Sequence, residues 1–262
     1  MKPATKVIAV IPARYASTRF PGKPLALILG KPMLQYVYER SCQAALVDKV
    51  IIATDDERIA SVAISFGAEV AMTSPDCPTG TDRIATVSKR SRFKGFGLVV
   101  NVQGDEPLID PEMIDCCVEV MMKNRKLAMS TAKCSLETFQ ELLDPNVVKV
   151  VTDNGGRALY FSRSPIPYDR DQWGNIFAGK EPVGHVIDFE NVFRHIGIYV
   201  YRRSFLQTFT QLSPTALERR EKLEQLRALE YGFTIGVVET KSKSVGVDTP
   251  KDLALVEKIL KG

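Results

Sequence analysis

Arg14, Arg19 and Lys23 fall within thirteen residues, 12–24, together with Ser17, Thr18 and Gly22, directly after the first apolar run. Backbone N–H groups at the carboxyl end of a buried strand, reinforced by guanidinium and ammonium groups, make a cradle for a polyanion such as a nucleoside triphosphate. A basic surface loop accounts for the charges but not for their placement after a buried strand. A second group, Asn101-Val102-Gln103-Gly104-Asp105-Glu106-Pro107, closes the fourth apolar run. A carboxylate exposed by a glycine or proline turn at a strand end can hold a hard divalent cation together with substrate phosphates, and Asp105 is the first candidate ligand. Asp248, in Gly246-Val247-Asp248-Thr249-Pro250, precedes a helix capped by Thr249. It becomes the second ligand if that segment returns to the same sheet edge. Either aspartate alone could be only a turn or capping residue; the pair points to a metal-assisted phosphate site.

A sheet must position these groups. Short β-branched runs at residues 7–11, 50–53, 70–72 and 98–102 read as strands, and amphipathic stretches at 32–45, 55–66, 81–89 and 111–124 read as helices between them. Thr54 and Glu57 have capping-box spacing, and Asp110-Pro111 reads as an N-cap with proline at the first helical position. This alternation predicts an α/β fold: a predominantly parallel central sheet with helices on both faces and ligands at the carboxyl ends of the strands. After about residue 128, strands at 129–132, 147–152, 158–162 and 196–201 are joined more by loops than by helices. A helix at 218–231, a strand at 234–238 and a helix at 250–260 follow. The stretch 164–194, with Pro165, Pro167, Gly174, Gly179, Pro182 and Gly184, is the most loop-like. Loops this long serve as lids or partner-contact segments.

Composition narrows the class. The 262 residues, 45% hydrophobic and 25% charged, are those of an ordinary globular protein. No apolar run nears the roughly 18–20 residues of a membrane span. Residues 1–6 carry no signal-peptide pattern, so a cytoplasmic location is expected. The net charge of +4 is scattered, without the basic stripe and interleaved aromatics of a nucleic-acid binder. Cys42, Cys77, Cys116, Cys117 and Cys134 are odd in number and form no C-x-x-C pair, so they read as reduced, mostly buried thiols. Residues 174–180 match the first seven positions of a P-loop, but Glu181 stands where a hydroxyl is needed and no strand leads in. The dinucleotide fingerprint G-x-G-x-x-G is absent after the first strand, and the only histidines, His185 and His195, are too few for a histidine-rich metal site.

IPARYASTRFPGKPL (11–25), ATDD (53–56), TGTDR (79–83), NVQGDEP (101–107), VKVV (148–151), ALYFSRSPIPYDRD (158–171), RHIGIYVYR (194–202), LEQLR (223–227) and GVDTP (246–250) together carry a family resemblance. From about residue 7 to the C-terminal helix, the chain resembles the 3-deoxy-D-manno-octulosonate (Kdo) cytidylyltransferases, the CMP-Kdo synthetase family. The first segment alone would indicate only the wider nucleotide-sugar pyrophosphorylase class. The resemblance implies a Rossmann-like nucleotidyltransferase fold in one domain with a smaller, loop-rich portion for sugar binding and dimerisation. Residues 1–127 then mainly bind CTP, 128–245 mainly bind the sugar acid and form dimer contacts, and 246–262 return a metal ligand and the C-terminal helix.

The same resemblance implies that Arg14, Ser17, Arg19 and Lys23 bind the CTP phosphates, with Pro12, Ala13 and Gly80 completing the nucleotide site. Asp105 and Asp248 would hold Mg2+, and with Lys23 and Arg19 they form the catalytic set. Arg83, Gln103, Arg163, His195, Tyr199, Glu224 and Gln225 would line the sugar-acid pocket. Arg163 can pair with a carboxylate, while Gln103, Tyr199, Glu224 and Gln225 can bond ring hydroxyls. Each alone could equally make a structural hydrogen bond, and Glu224 and Gln225 could be helix surface beside inward Leu223 and Leu226. The implied reaction gives CMP-Kdo and diphosphate from CTP and Kdo, for lipopolysaccharide-type polysaccharide biosynthesis, in a cytoplasmic homodimer. The alternatives are a cytidylyltransferase for sialic acid or 8-amino-Kdo, and a non-catalytic nucleotide-binding regulator, which is expected to have lost Lys23 or an aspartate. Residues 174–190 are longer and more glycine-rich than the family pattern. Trp173, Ile176 and Phe177 are expected to be exposed there, on an interface or a lid.

Overall fold

A computed structural model describes residues 5–16, 20–171, 173, 189–242 and 244–262. Ser17, Thr18, Arg19, Ile176, Phe177, His185 and the P-loop-like stretch 174–180 lie outside these described residues. Strand β1 (Lys6–Ala13) lies inside the sheet, flanked by β4 (Lys49–Thr54) and β6 (Phe96–Asn101) in parallel register. With β5 (Glu69–Met72), β7 (Met129–Ser135), β10 (Phe193–Arg202) and β11 (Ile235–Glu239), the order is β11-β7-β10-β6-β1-β4-β5. Neighbours along it pair in parallel except at β10, which is antiparallel to both β6 and β7. A hairpin of β8 (Lys149–Thr152) and β9 (Ala158–Ser162) joins the start of β10, and β2 (Leu27–Ile28) pairs with β3 (Lys31–Pro32) apart from the main sheet.

Why β1 is an unbroken apolar run is visible in its two faces. Val7, Ala9 and Ile11 pack with Leu34 and Val37 of α1 (Met33–Gln43), Ile59 and Ala63 of α2 (Glu57–Ser65), and Met113 and Val118 of α4 (Pro111–Lys123). Ile8 and Val10 pack on the other face with Ile84 and Val87 of α3 (Gly80–Lys89) and Phe205 and Phe209 of a helix at Arg203–Phe209. A strand covered on both sides has no solvent face, so alternation disappears. The helix Phe139–Leu143 is α5 and Arg203–Phe209 is α6; neither was expected from the sequence.

Three local expectations are corrected. Helix α2 is capped by Asp56, whose carboxylate accepts from Arg58 N and Ile59 N, and not by Thr54 with Glu57. Thr54 is still in β4, paired to Ala13 and Met72, so its backbone is extended two residues before the helix opens. The helix expected at 218–231 is two, α7 (Ala216–Glu221) and α8 (Gln225–Glu230), broken where Lys222 takes φ 56°. Trp173 is fully buried among Leu136, Leu142 and Val192, which overturns its expected exposure. The Asp110 cap of α4 and the Thr249 cap of α9 (Pro250–Lys261) form as expected. No disulfide joins the five cysteines, with Cys77, Cys117 and Cys134 buried and Cys42 exposed. No helix among the described residues is long and apolar enough to cross a membrane.

Candidate active site

The chain runs from β1 to β4 and β5 on one side, then returns to β6 on the other. That reversal opens a crevice at the carboxyl ends of β1 and β6, where α/β sheets bind ligands. An open cleft of about 410 Å³ lies there, lined by Pro12, Ala13, Arg14, Lys23, Gly80, Gln103 and Asp105, with Ala16, Pro24 and Gly104. Two glycines permit its shape. At Gly104 a Cβ would stand 2.8 Å from Pro12 O, so only hydrogen lets the two strand-end loops close together. Gly22 takes φ 71° and starts the 3₁₀ turn Lys23–Leu25, which turns Lys23 into the cleft. Arg14 donates to Cys77 O.

Lys23 Nζ donates to Asp105 Oδ2 at 2.6 Å and to Asp248 Oδ1 at 3.2 Å. Residues 105 and 248 are distant in sequence, and hydrophobic packing brings them together. Val247 is buried with Ile28, Met33 and Val256, so the α9 segment docks on the β2–β3 hairpin and the start of α1. Val247 N then donates to Asp105 O at 2.8 Å. Two hard carboxylates converging on one cationic atom fit a divalent ion. Among the described residues no group of three or more His, Cys, Asp or Glu side chains could hold a metal. An ion at this pair therefore needs substrate oxygens as well, the usual habit of Mg2+.

The residues expected in the sugar pocket are only partly brought together. Tyr199 and His195 lie on β10, which runs back over the end of β6, with their rings 5.5 Å apart. Gln103 Nε2 reaches Gly197 O of the same strand at 3.4 Å. Glu224 accepts from Thr81 Oγ1 at 2.6 Å and from Thr79 Oγ1 at 3.3 Å, so it ties the start of α8 to the start of α3. Burial pushes its carboxyl above the usual range. Gln225 is buried, and its Nε2 has no partner among the described residues. Arg163 is bound through Nε to Glu221 O and through Nη1 to Pro145 O, both at 2.7 Å, and its Nη2 has no partner among the described residues. Arg83, on α3, is fully buried near the ends of β4 and β5, 3.2 Å from Asp55 and donating to Thr73 Oγ1, while its Nε and Nη2 have no partner among the described residues.

A cytidylyltransferase family model matches residues 8–241. A 3-deoxy-manno-octulosonate cytidylyltransferase of Syntrophotalea carbinolica is 57% identical, over 98% of this chain and 99% of its own length. Its namesake in Geobacter sulfurreducens is 54% identical, over 97% and 99%. The chain belongs to the 3-deoxy-manno-octulosonate cytidylyltransferase family. A solved structure of CMP:2-keto-3-deoxy-manno-octonic acid synthetase complexed with CTP superposes with a TM-score of 0.86, at 40% identity, over 98% of this chain and 99% of that one. The sequence comparison and the sheet order thus agree on a nucleotidyltransferase-type α/β fold for this family member.

Sequence reasoning did not single out Thr79, Thr81, Thr131, Glu106, Glu221 or Ser244, each of which bonds a residue of this family member's candidate site or its loops. The TGTDR and NVQGDEP segments contain three of them, but nothing in a hydroxyl's or carboxylate's position tells which neighbour it meets. Thr131 Oγ1 lies 2.8 Å from His195 Nε2 and within 2.7 and 3.0 Å of Ile198 O and Ile196 O. Its single proton goes to a carbonyl, which leaves His195 Nε2 as the donor.

Burial, reinforced by Arg194, holds the His195 imidazole down at about 3, against about 6.5 when unfolded. Between these values the unfolded chain binds the extra proton. His195 therefore costs no stability above about pH 6.5 and progressively more as pH falls toward 3. His195→Gln is expected to lose less melting temperature between pH 7 and pH 4 than the parent chain, by about 2 °C or more. Identical acid slopes in the two proteins would mean that His195 charges freely in the fold.

Proposed function

We propose that the chain transfers the cytidylyl group of CTP to 3-deoxy-D-manno-octulosonate, giving CMP-Kdo and diphosphate for lipopolysaccharide-type polysaccharide biosynthesis. One observation carries this: Lys23, Asp105 and Asp248 meet at the mouth of the cleft between β1 and β6. The anomeric hydroxyl attacks the α-phosphorus in line with departing diphosphate, so the protein's task is to position and to neutralise charge. Arg14 and Lys23, with Ser17 and Arg19 of the same loop, hold the triphosphate, and Gly80 lets the start of α3 approach it. Asp105 and Asp248 hold magnesium, which when bound neutralises phosphate charge and makes the attacking hydroxyl more acidic. Neutral His195 and protonated Tyr199 present hydrogen-bonding groups to the sugar; burial pushes the Tyr199 phenol well above its usual range. Gln225 Nε2 and Arg163 Nη2, without partners among the described residues, supply donors for a hydroxyl and the carboxylate. Arg83, whose Nε and Nη2 have no partner among the described residues, supplies further donors on the sugar-acid side.

A non-catalytic regulator has no need of the intact convergence at Lys23. The test is diphosphate release with each of the four common nucleoside triphosphates against a panel of sugar acids. CTP with Kdo is expected to exceed every other pair. Faster turnover of sialic acid or 8-amino-Kdo would replace the sugar assignment, and no release with any pair would overturn the reaction. The working form is a cytoplasmic homodimer. Sedimentation at micromolar concentration is expected to give about twice the 29.1 kDa chain mass, and a lone species at the chain mass would refute the dimer.

A further inference from the structure

The loop after β6 carries a second carboxylate that no step of the reaction uses. Glu106 is half-buried, and its Oε2 accepts from Oγ of Ser244, itself buried and four residues before Asp248. Its Oε1 lies against β10 at Gly197, where a Cβ would sit 3.8 Å away. The main chain repeats the link, since Val247 N donates to the carbonyl of Asp105, the preceding residue. Glu106 N is in turn bonded to Gln103 O, and the Gln103 side chain to Gly197 O. The Glu106 side chain thus ties the Asp105 loop to the segment carrying Asp248, and Gln103 ties the same loop to the strand carrying His195 and Tyr199. Residues 244–248 form no helix or strand, and Val247, buried with Ile28, Met33 and Val256, anchors the end nearest Asp248.

We propose that Glu106 is a positioning residue that, through Ser244, clamps the Asp248 segment to the Asp105 loop, setting the carboxylate pair before substrate arrives. The inference rests on the nucleotidyl-transfer function proposed above. Glu106 acts through its neighbours and touches no reacting atom. What it supplies is preorganisation: with the clamp in place, ordering residues 244–248 is already done when metal and nucleotide bind.

The experiment compares the parent chain with Glu106→Gln, Glu106→Ala, Ser244→Ala and the Glu106→Ala/Ser244→Ala double variant. Binding of Mn2+ with CTP is measured by calorimetry without sugar acid, beside kcat, KM and melting temperature. Glu106→Ala and Ser244→Ala are each expected to weaken Mn2+–CTP binding and to lower kcat/KM by about 10-fold or more, the usual cost of losing a group that orients a ligand. The double variant should be no worse than Glu106→Ala, because the two residues form one contact. Glu106→Gln still accepts from Ser244 and should stay within about 3-fold of the parent, a difference under 1 kcal/mol. Additive losses in the double variant would overturn the clamp, as would a Gln variant as impaired as the Ala variant, which would assign Glu106 a role that needs its charge. Ser244→Ala removes only one hydroxyl and covers the case in which Glu106→Ala does not fold: unchanged Mn2+–CTP binding in that variant also overturns the proposal. A parent chain that binds Mn2+–CTP but turns over no sugar acid would overturn the proposed function instead, and the binding cycle would still decide the clamp.

Discussion

Asp105→Asn and Asp248→Asn are each expected to lower turnover by at least about 100-fold while moving the melting temperature by no more than about 3 °C. The two effects separate because the carboxylates do different things in the reaction and in the fold. A cation held at the reacting phosphate is worth several kcal/mol of transition-state charge stabilisation, and each 1.4 kcal/mol is about tenfold in rate. In the fold, the same carboxylates pair with Lys23 at the cleft mouth, where Asp105 is 34% and Asp248 50% exposed. Ion pairs this open to solvent contribute about 0–1 kcal/mol, and either variant leaves Lys23 one partner. Steady-state rates beside thermal melts check both halves. Full activity in one variant removes that residue from the metal site, and a large fall in melting temperature would make its role structural.

Trp173→Ala has the largest expected effect on stability. The indole is fully buried against Leu136, Leu142 and Val192, with Phe139, Val147 and Phe189 around it, and stands edge-on to Tyr168 at 6.1 Å. Truncating an aromatic in such a setting costs about 3–5 kcal/mol through lost burial and the cavity left behind. For a chain of this size that is on the order of 10 °C in melting temperature. Trp173→Phe, which keeps most of the volume, is expected to recover more than half of the loss. A change under about 2 °C for Trp173→Ala would return the residue to the exposed loop position that its sequence neighbours suggest.

Trp173 shows where local reading stops. Prolines and glycines on both sides mark its segment as a loop, and an aromatic on a loop with no helix or strand of its own looks exposed. Its burial depends on α5 and the start of β10 coming together over it, which no local pattern announces. Arg83 and Glu224 teach the same lesson at the site. Both sit in segments whose types suit a polar pocket; the fold sets Arg83 against Asp55 and Thr73 with Nε and Nη2 unpartnered among the described residues, and Glu224 against the hydroxyls of Thr79 and Thr81 at the start of α3. A long polar side chain reaches several neighbours, and the choice among them is made by the packing of whole elements.

What could be read directly were features whose physics is local or periodic. Doubly covered strands need unbroken apolar runs, so β1, β4 and β6 stood out, and with them the parallel sheet and its ligand-binding edge. The caps of α4 and α9 follow from backbone N–H groups that need a nearby oxygen, and Asp110 and Thr249 supply it. The cationic loop after β1 and the aspartate after β6 were legible because a strand end fixes where the next residues lie. That Asp248 shares Lys23 with Asp105 was legible only as a condition, that its segment return to the same edge. Val247 and Val256, buried against Ile28 and Met33, meet that condition through contacts more than 200 residues apart in sequence, and burial of apolar surface between such distant segments is a property of the assembled fold alone.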